Sequence, residues 1–165
     1  MSESGAIIRP IEEKDYEEWY QLFSGEKNSY LVFYKSKVPK DVVDTTFKRF
    51  LDDSVPVYCY VAVDPSTGKL IGFANYLTHY NTWTIEPACY LNDLFVSEDS
   101  RLKGTGGKLI TKIYEFCDEN AIKNCYWTTQ FENHRAQLLY TKIGKKAGFL
   151  KYRRPKPDEK PDYYS

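Results

Sequence analysis

Apolar positions along the chain switch between helical and strand spacing, and the switches mark out its elements. Residues 6–9 form a short apolar run before Pro10, which predicts a strand. Over 12–23, Tyr16, Trp19, Tyr20 and Phe23 recur three and four apart. That is helical spacing, with acidic residues in the first turn where the helix dipole favours them. After Pro39 the pattern returns at Val42, Val43, Phe47, Phe50 and Leu51, which predicts a second helix. Residues 57–63 and 70–77 are β-branched and aromatic, and the turn cluster 64–68 between them predicts a hairpin. Residues 88–96 read as a further strand, broken by 97–100. Leu109, Ile110, Ile113, Tyr114 and Cys117 put one apolar stripe on a helix over 104–119. The remaining predictions are a strand over 125–129, a helix over 136–143 and a last strand over 149–153.

The predicted order is β-α-α-β-β-β-α-β-α-β. Consecutive strands favour antiparallel pairing, and strand–helix–strand over 88–129 favours a right-handed parallel crossover. The expected class is therefore α/β in the broad sense (α+β): a mixed, mostly antiparallel central β-sheet flanked by helices. With 165 residues the chain has the length of one domain. Its expected extent is 1–154. Pro155, Pro157 and Pro161, set among charges, mark 155–165 as a tail.

Charge removes some function classes. Lys and Arg number 23 and so do Asp and Glu, which argues against a nucleic-acid or anionic-membrane binder, since counterion release needs excess clustered cations. No base-reading motif is present. No stretch approaches the roughly 20 apolar residues of a membrane span. The first residues lack the basic and apolar regions of a signal peptide, and Cys59, Cys89, Cys117 and Cys125 show no metal-ligand spacing. These features lead to the expectation of a cytosolic or nuclear protein with buried free thiols and no metal. His79 and His134 have no metal-ligating partners at suitable spacing.

The even balance hides a local excess. Arg101, Lys103, Lys108 and Lys112 fall within 101–112, where no acid occurs, around Gly104-Thr105-Gly106-Gly107. This turn lies between a predicted strand and a predicted helix. Glycines let the backbone approach a ligand, and the unpaired N–H groups of a first helical turn attract anions, so pyrophosphate is the natural ligand. The spacing is not that of a Walker A loop, and Leu109 stands where a dinucleotide fingerprint needs its third glycine.

Arg101-x-x-Gly104-x-Gly106, preceded by Leu91-Asn92-Asp93-Leu94-Phe95-Val96, resembles motif A of the GNAT (general N-acetyltransferase) superfamily. The run Asn133-His134-Arg135-Ala136-Gln137-Leu138-Leu139-Tyr140 resembles its motif B. Asn92-Asp93-Leu94, Gly106 to Ile110 and Tyr126-Trp127 are similar to the fungal branch that contains histone, polyamine and D-amino-acid acetyltransferases. The resemblance implies acetyl-CoA as cofactor. It implies pantetheine along the backbone of Leu94, Phe95 and Val96. It also implies phosphates at Arg101, Leu102, Lys103, Gly104, Thr105, Gly106, Gly107 and Lys108, with Asn133, Arg135 and Ala136 as further contacts. Tyr140 would be the general acid. Asp93 would be a base acting through water or an anchor for a substrate ammonium; its alternative role is structural. Asn92 stands where polyamine-acetylating relatives often carry Glu, so a direct glutamate base is not expected. Asn133 is also a natural helix cap.

His79 and Thr128 are candidates for lining the acceptor site. The acids at 12, 13, 15, 17 and 18 and the aromatics Tyr30, Phe33 and Tyr34 suit a cationic amine, although a solvated helix face is the better explanation of most of those acids. The expected reaction is direct acetyl transfer to a primary amine: a histone or other protein lysine, a polyamine, or an amino acid, including a D-amino-acid-specific form. The rival from another class is an inactive CoA-binding interaction module. Branch relatives imply a homodimer or tetramer, and the terminal strand with Tyr152, Tyr163 and Tyr164 is the expected contact.

Overall fold

Side chains alternate across a strand, and in Val57–Val63 (β2) both faces are covered. Cys59 and Val61 enter one core and Tyr60 and Ala62 the other, and all four are buried. Double coverage is why this stretch reads as unbroken apolar sequence. The structure, a computed structural model, describes residues 5–100, 102–160 and 162.

The order is β1 (Ile7–Pro10), a 3-10 turn (Glu13–Asp15), α1 (Tyr16–Ser24), α2 (Tyr30–Phe33), α3 (Lys40–Phe50), β2, β3 (Leu70–His79), β4 (Ala88–Val96), α4 (Thr105–Glu119), β5 (Cys125–Tyr126) and α5 (His134–Ile143). Five strands lie in sequence order in one sheet. The first four pair antiparallel, and β4 pairs with β5 in parallel. The expected class and most elements are thus observed.

One face of the sheet packs on α4 through Leu109, Ile110, Ile113 and Cys117. The other packs on α1 to α3 around Trp19, which is fully buried. Its ring lies 5.1 Å from Phe23 and 5.5 Å from Phe47. Asp15 is buried under α1 and held by Arg9, whose Nη1 and Nη2 donate to the carboxylate at 2.7 and 2.9 Å. No helix among the described residues is long and apolar enough to cross a membrane.

Three expectations are corrected. The last strand, 149–153, is irregular chain, with Phe149, Leu150 and Tyr152 exposed. Strand-like composition alone does not form a strand there, because no edge of the sheet pairs with it. The strand over 125–129 shortens to Cys125–Tyr126, since β5 leaves β4 after two residue pairs. Residues 30–33, where no element was expected, form a one-turn helix capped by Ser29, whose Oγ accepts the Val32 N–H at 3.3 Å. Tyr163 and Tyr164 lie outside the described residues.

Candidate active site

The early departure of β5 creates the site. Cys89 pairs with Cys125 and Tyr90 with Tyr126, and from Leu91 to Val96 β4 has a strand partner only on the β3 side. Its other edge, including the backbone of Leu94, Phe95 and Val96, offers donors and acceptors that an extended ligand can pair with. On the β3 side the register slips between Asn75 and Tyr76: Asn75 faces Asp93, Tyr76 faces Leu91, and Asn92 is the extra residue. Such bulges re-aim side chains and recur beside active sites.

Beyond β4 the chain turns through Gly104, at φ 74° and ψ 9°, into α4. The left-handed conformation favours glycine, and a Cβ there would meet nothing within 4 Å, so the turn is open. Thr105 donates its hydroxyl to the Leu102 carbonyl at 3.2 Å, and Lys108 N–H is bonded to the Gly104 carbonyl at 3.0 Å. A Cβ on Gly106 would lie 3.1 Å from Leu139 Cδ2, and one on Gly107 3.7 Å from Leu139 Cδ1. The glycines therefore let α5 pack close to the start of α4. First-turn N–H groups, an open glycine turn and exposed Lys103 and Lys108 fit a pyrophosphate. Arg101 lies outside the described residues. Lys112 is paired with Glu115 at 3.1 Å.

From the opposite side α5 brings Asn133 and Tyr140. Asn133 caps the helix, its Oδ1 accepting the Ala136 N–H at 3.3 Å. Its side chain also lies beside the Tyr34 hydroxyl. Tyr140 packs 5.4 Å from Trp127, ring centre to ring centre. Burial, and then the neighbouring Tyr34, push its hydroxyl up to about 12, so it keeps its proton at neutral pH. Arg135 is exposed on the same helix.

Asp93 lies at the centre of a polar chain. Its Oδ2 accepts from Asn75 Nδ2 and its Oδ1 from Asn92 Nδ2, both at 3.0 Å. Asn75 is itself buried and accepts from Trp19 Nε1 at 3.4 Å. Tyr30 lies beside Asp93; burial and then the carboxylate charge raise its pKa strongly. Tyr34, whose ring is 4.7 Å from that of Tyr30, is raised by burial and by Asp93, while the neighbouring Asn133 pulls it down. Next to Asp93 opens a cavity of about 340 Å³, lined among others by Tyr30, Asn75, Asn92, Asp93 and Arg49. A shallower hollow of about 430 Å³ beside Tyr20 and Ser24 shares none of its lining residues.

The structure thus gathers Asn92, Asp93, Asn133 and Tyr140 with Tyr30 and Tyr34. It does not bring His79 or Thr128 to them. His79 ends β3, bonded through Nε2 to the Tyr126 hydroxyl at 2.7 Å, at the closed end of the β4–β5 pair. Thr128 is exposed in the chain after β5. His134 is exposed at the start of α5. Some first-helix acids serve the fold: Glu18 Oε2 accepts the Leu70 N–H at 2.8 Å, and Asp15 binds Arg9. Sequence reasoning missed Asn75, whose one signal is an amide inside an apolar strand, and Arg49. It also gave no hint that the Cys89, Cys117 and Cys125 sulfurs lie within 4.8 Å of one another, since these residues come from three different elements.

The sequence profile described as the acetyltransferase (GNAT) family matches residues 13–145. The chain is 43% identical over 148 residues to the D-amino-acid N-acetyltransferase HPA3 of Saccharomyces cerevisiae, covering 90% of this chain and 89% of that protein. It is 27% identical to an uncharacterized N-acetyltransferase, YhfO, of Bacillus subtilis, over 76% of this chain and 83% of the other. Among solved structures, a probable acetyltransferase superposes with a TM-score of 0.77 at 21% identity, covering 93% of this chain and 99% of that one. The aminoglycoside acetyltransferase AAC(6')-Iy, solved with a CoA bisubstrate analogue, gives a TM-score of 0.71 at 20% identity, with 93% and 99% covered. The open edge of β4, the glycine turn into α4 and these matches agree: the chain belongs to the acetyltransferase (GNAT) family and is an N-acetyltransferase that uses acetyl-CoA.

Proposed function

We propose that the protein acetylates the α-amine of a free amino acid by direct attack in a ternary complex. The carrying observation is the cavity beside the Asn92 bulge, whose lining includes Asp93. The likeness to a D-amino-acid N-acetyltransferase at 43% identity supports an amino acid of D configuration over a polyamine or a histone lysine.

Acetyl-CoA supplies the thioester whose carbonyl carbon takes the amine. The chain's residues do the rest. Backbone amides at the start of α4 bind the phosphates, and the free edge of β4 orients the pantetheine arm. The Asp93 carboxylate, with hydrogen bonds from Asn75 and Asn92 at its oxygens, acts by charge. It draws the substrate ammonium to the bulge, where the proton leaves to water before attack. Tyr140 Oη then passes its proton to the departing sulfur, and the second proton shed by the new amide nitrogen returns through water to Tyr140. The test is CoA release with a panel of D- and L-amino acids, spermidine and histone-tail peptides. Turnover highest with D-amino acids supports the reading, and equal or better kcat/KM with spermidine or peptides overturns it.

We also propose a homodimer. Exposed Trp83 and Ile85 in the β3–β4 loop, with Phe149, Leu150 and Tyr152, give apolar surface of the kind subunits bury. A monomer mass by light scattering at micromolar concentration refutes it.

A further inference from the structure

The cavity beside Asp93 is lined by apolar and uncharged polar side chains, apart from two of opposite charge. Asp93 is one. The other is Arg49, on α3. Val42, Thr46, Arg49 and Phe50 recur at helical spacing, so one stripe of α3 faces the cavity. The Arg49 guanidinium has no carboxylate partner and no side-chain hydrogen bond among the described residues. By contrast the Asp93 oxygens are met by Asn75 and Asn92.

A guanidinium offers a planar fork of N–H donors that fits a carboxylate with two parallel bonds, and it keeps its charge at any working pH. An exposed guanidinium and a carboxylate that line one amphipathic cavity match a zwitterion. We propose that Arg49 is the carboxylate subsite of the acceptor, so that the substrate class is α-amino acids with a free carboxylate, amine towards Asp93. This assignment rests on the acetyl-transfer reading above and adds to it the residue that selects the acceptor. The discrimination follows from charge. A polyamine offers Arg49 no anion and sets a further ammonium against it. A lysine in a peptide carries its amine on a four-carbon stem, remote from any carboxylate.

The experiment compares phenylalanine, in the enantiomer that is turned over, with its amide, in wild type and in Arg49→Gln, Arg49→Lys and Lys48→Gln. The two substrates differ in amine basicity, so the quantity read is the change in the acid-to-amide ratio of kcat/KM between proteins. Loss of a charge-assisted pair lowers that ratio by about 10- to 100-fold in Arg49→Gln, mainly through KM of the acid. Arg49→Lys, which keeps the charge but not the fork, falls between. Lys48→Gln, an exposed neighbour outside the cavity lining, keeps the wild-type ratio. An unchanged ratio in Arg49→Gln overturns the subsite, and if amides and spermidine are still acetylated the acetyl-transfer reading survives that loss. If no amine is acetylated, the transfer reading falls, and calorimetry of D- and L-phenylalanine on CoA-saturated protein still decides the subsite. Binding of either enantiomer that weakens at least tenfold in Arg49→Gln upholds it, and absent or Arg49-independent binding refutes it.

Discussion

Replacing Tyr140 with Phe removes one hydroxyl and leaves the ring in place against Trp127, 5.4 Å away. The packing of α5 on the sheet should therefore survive, and the loss should appear in chemistry alone. Its size follows from the environment of the hydroxyl. Burial and the nearby Tyr34 push Tyr140 to about 12, above the ordinary 10, which makes it a weaker acid than an exposed tyrosine. General acids contribute roughly 100- to 10,000-fold, and a weaker acid belongs at the lower end. The expected fall in kcat is about 100-fold, or about 2.7 kcal/mol of barrier. KM for acetyl-CoA should stay within about twofold, because the phosphate turn at Gly104 to Gly107 lies on another element. Steady-state CoA release measures both. Alkaline unfolding gives a second readout with a definite sign. A tyrosine raised in the folded state contributes stability that is whole below the unfolded pKa near 10 and drains away as pH rises towards 12. Tyr140→Phe should lose less stability than wild type over that range. Turnover of Tyr140→Phe within twofold of wild type refutes the assignment.

Three further outcomes are expected. Arg9→Ala strands the buried Asp15 carboxylate and should cost about 3–5 kcal/mol in urea unfolding. Burial alone would raise the Asp15 pKa, but the bonds from Arg9 and from Glu12 N–H outweigh it, so the wild-type contribution is present above pH 4 and lost as pH falls through the lowered folded value. Gly104→Ala should cost about 1 kcal/mol through its positive φ alone, whereas Gly106→Val, crowding Leu139, should raise KM for acetyl-CoA about tenfold in initial-rate assays. Trp19→Ala should lose about 3–5 kcal/mol by thermal or urea unfolding, since its ring fills the centre of the core between the sheet and α1 to α3.

The fold was most legible where one face or stripe is buried. The periodic apolar stripe of α4 and the two-sided runs of β2 and β3 announce themselves because burial dictates residue type at every position or at every third and fourth. The glycine turn into α4 was legible because its conformation is carried by local backbone. Chain 149–153 misled because aromatic and apolar composition measures fitness for a sheet, not the presence of an edge to join. The tyrosines of 30–34 could be noticed but not placed, since a single helical turn has too few residues for a period. Asn75 and Arg49 were invisible for a different reason. Each meets residues far away in sequence: Asn75 pairs with Asp93 at the register slip, and Arg49 lines the same cavity as Asp93.

That slip links the fold to the function. A regular β4 paired on both edges would leave no backbone for an extended ligand and would keep Asn92 and Asp93 in strict alternation. Adding one residue at Asn92 breaks the alternation next to Asp93, and β5 leaves after Tyr126. Both departures withdraw hydrogen bonds from the sheet within a few residues of each other. Groups left unpaired inside a protein are costly, so they persist where a ligand or water completes them. Here the flanks of the gap are the first turn of α4 on one side and Tyr34, Asn133 and Tyr140 on the other. The irregularities of the sheet and the groups proposed to do chemistry therefore fall together: the backbone that the strands leave unpaired is the backbone proposed to receive the acetyl donor.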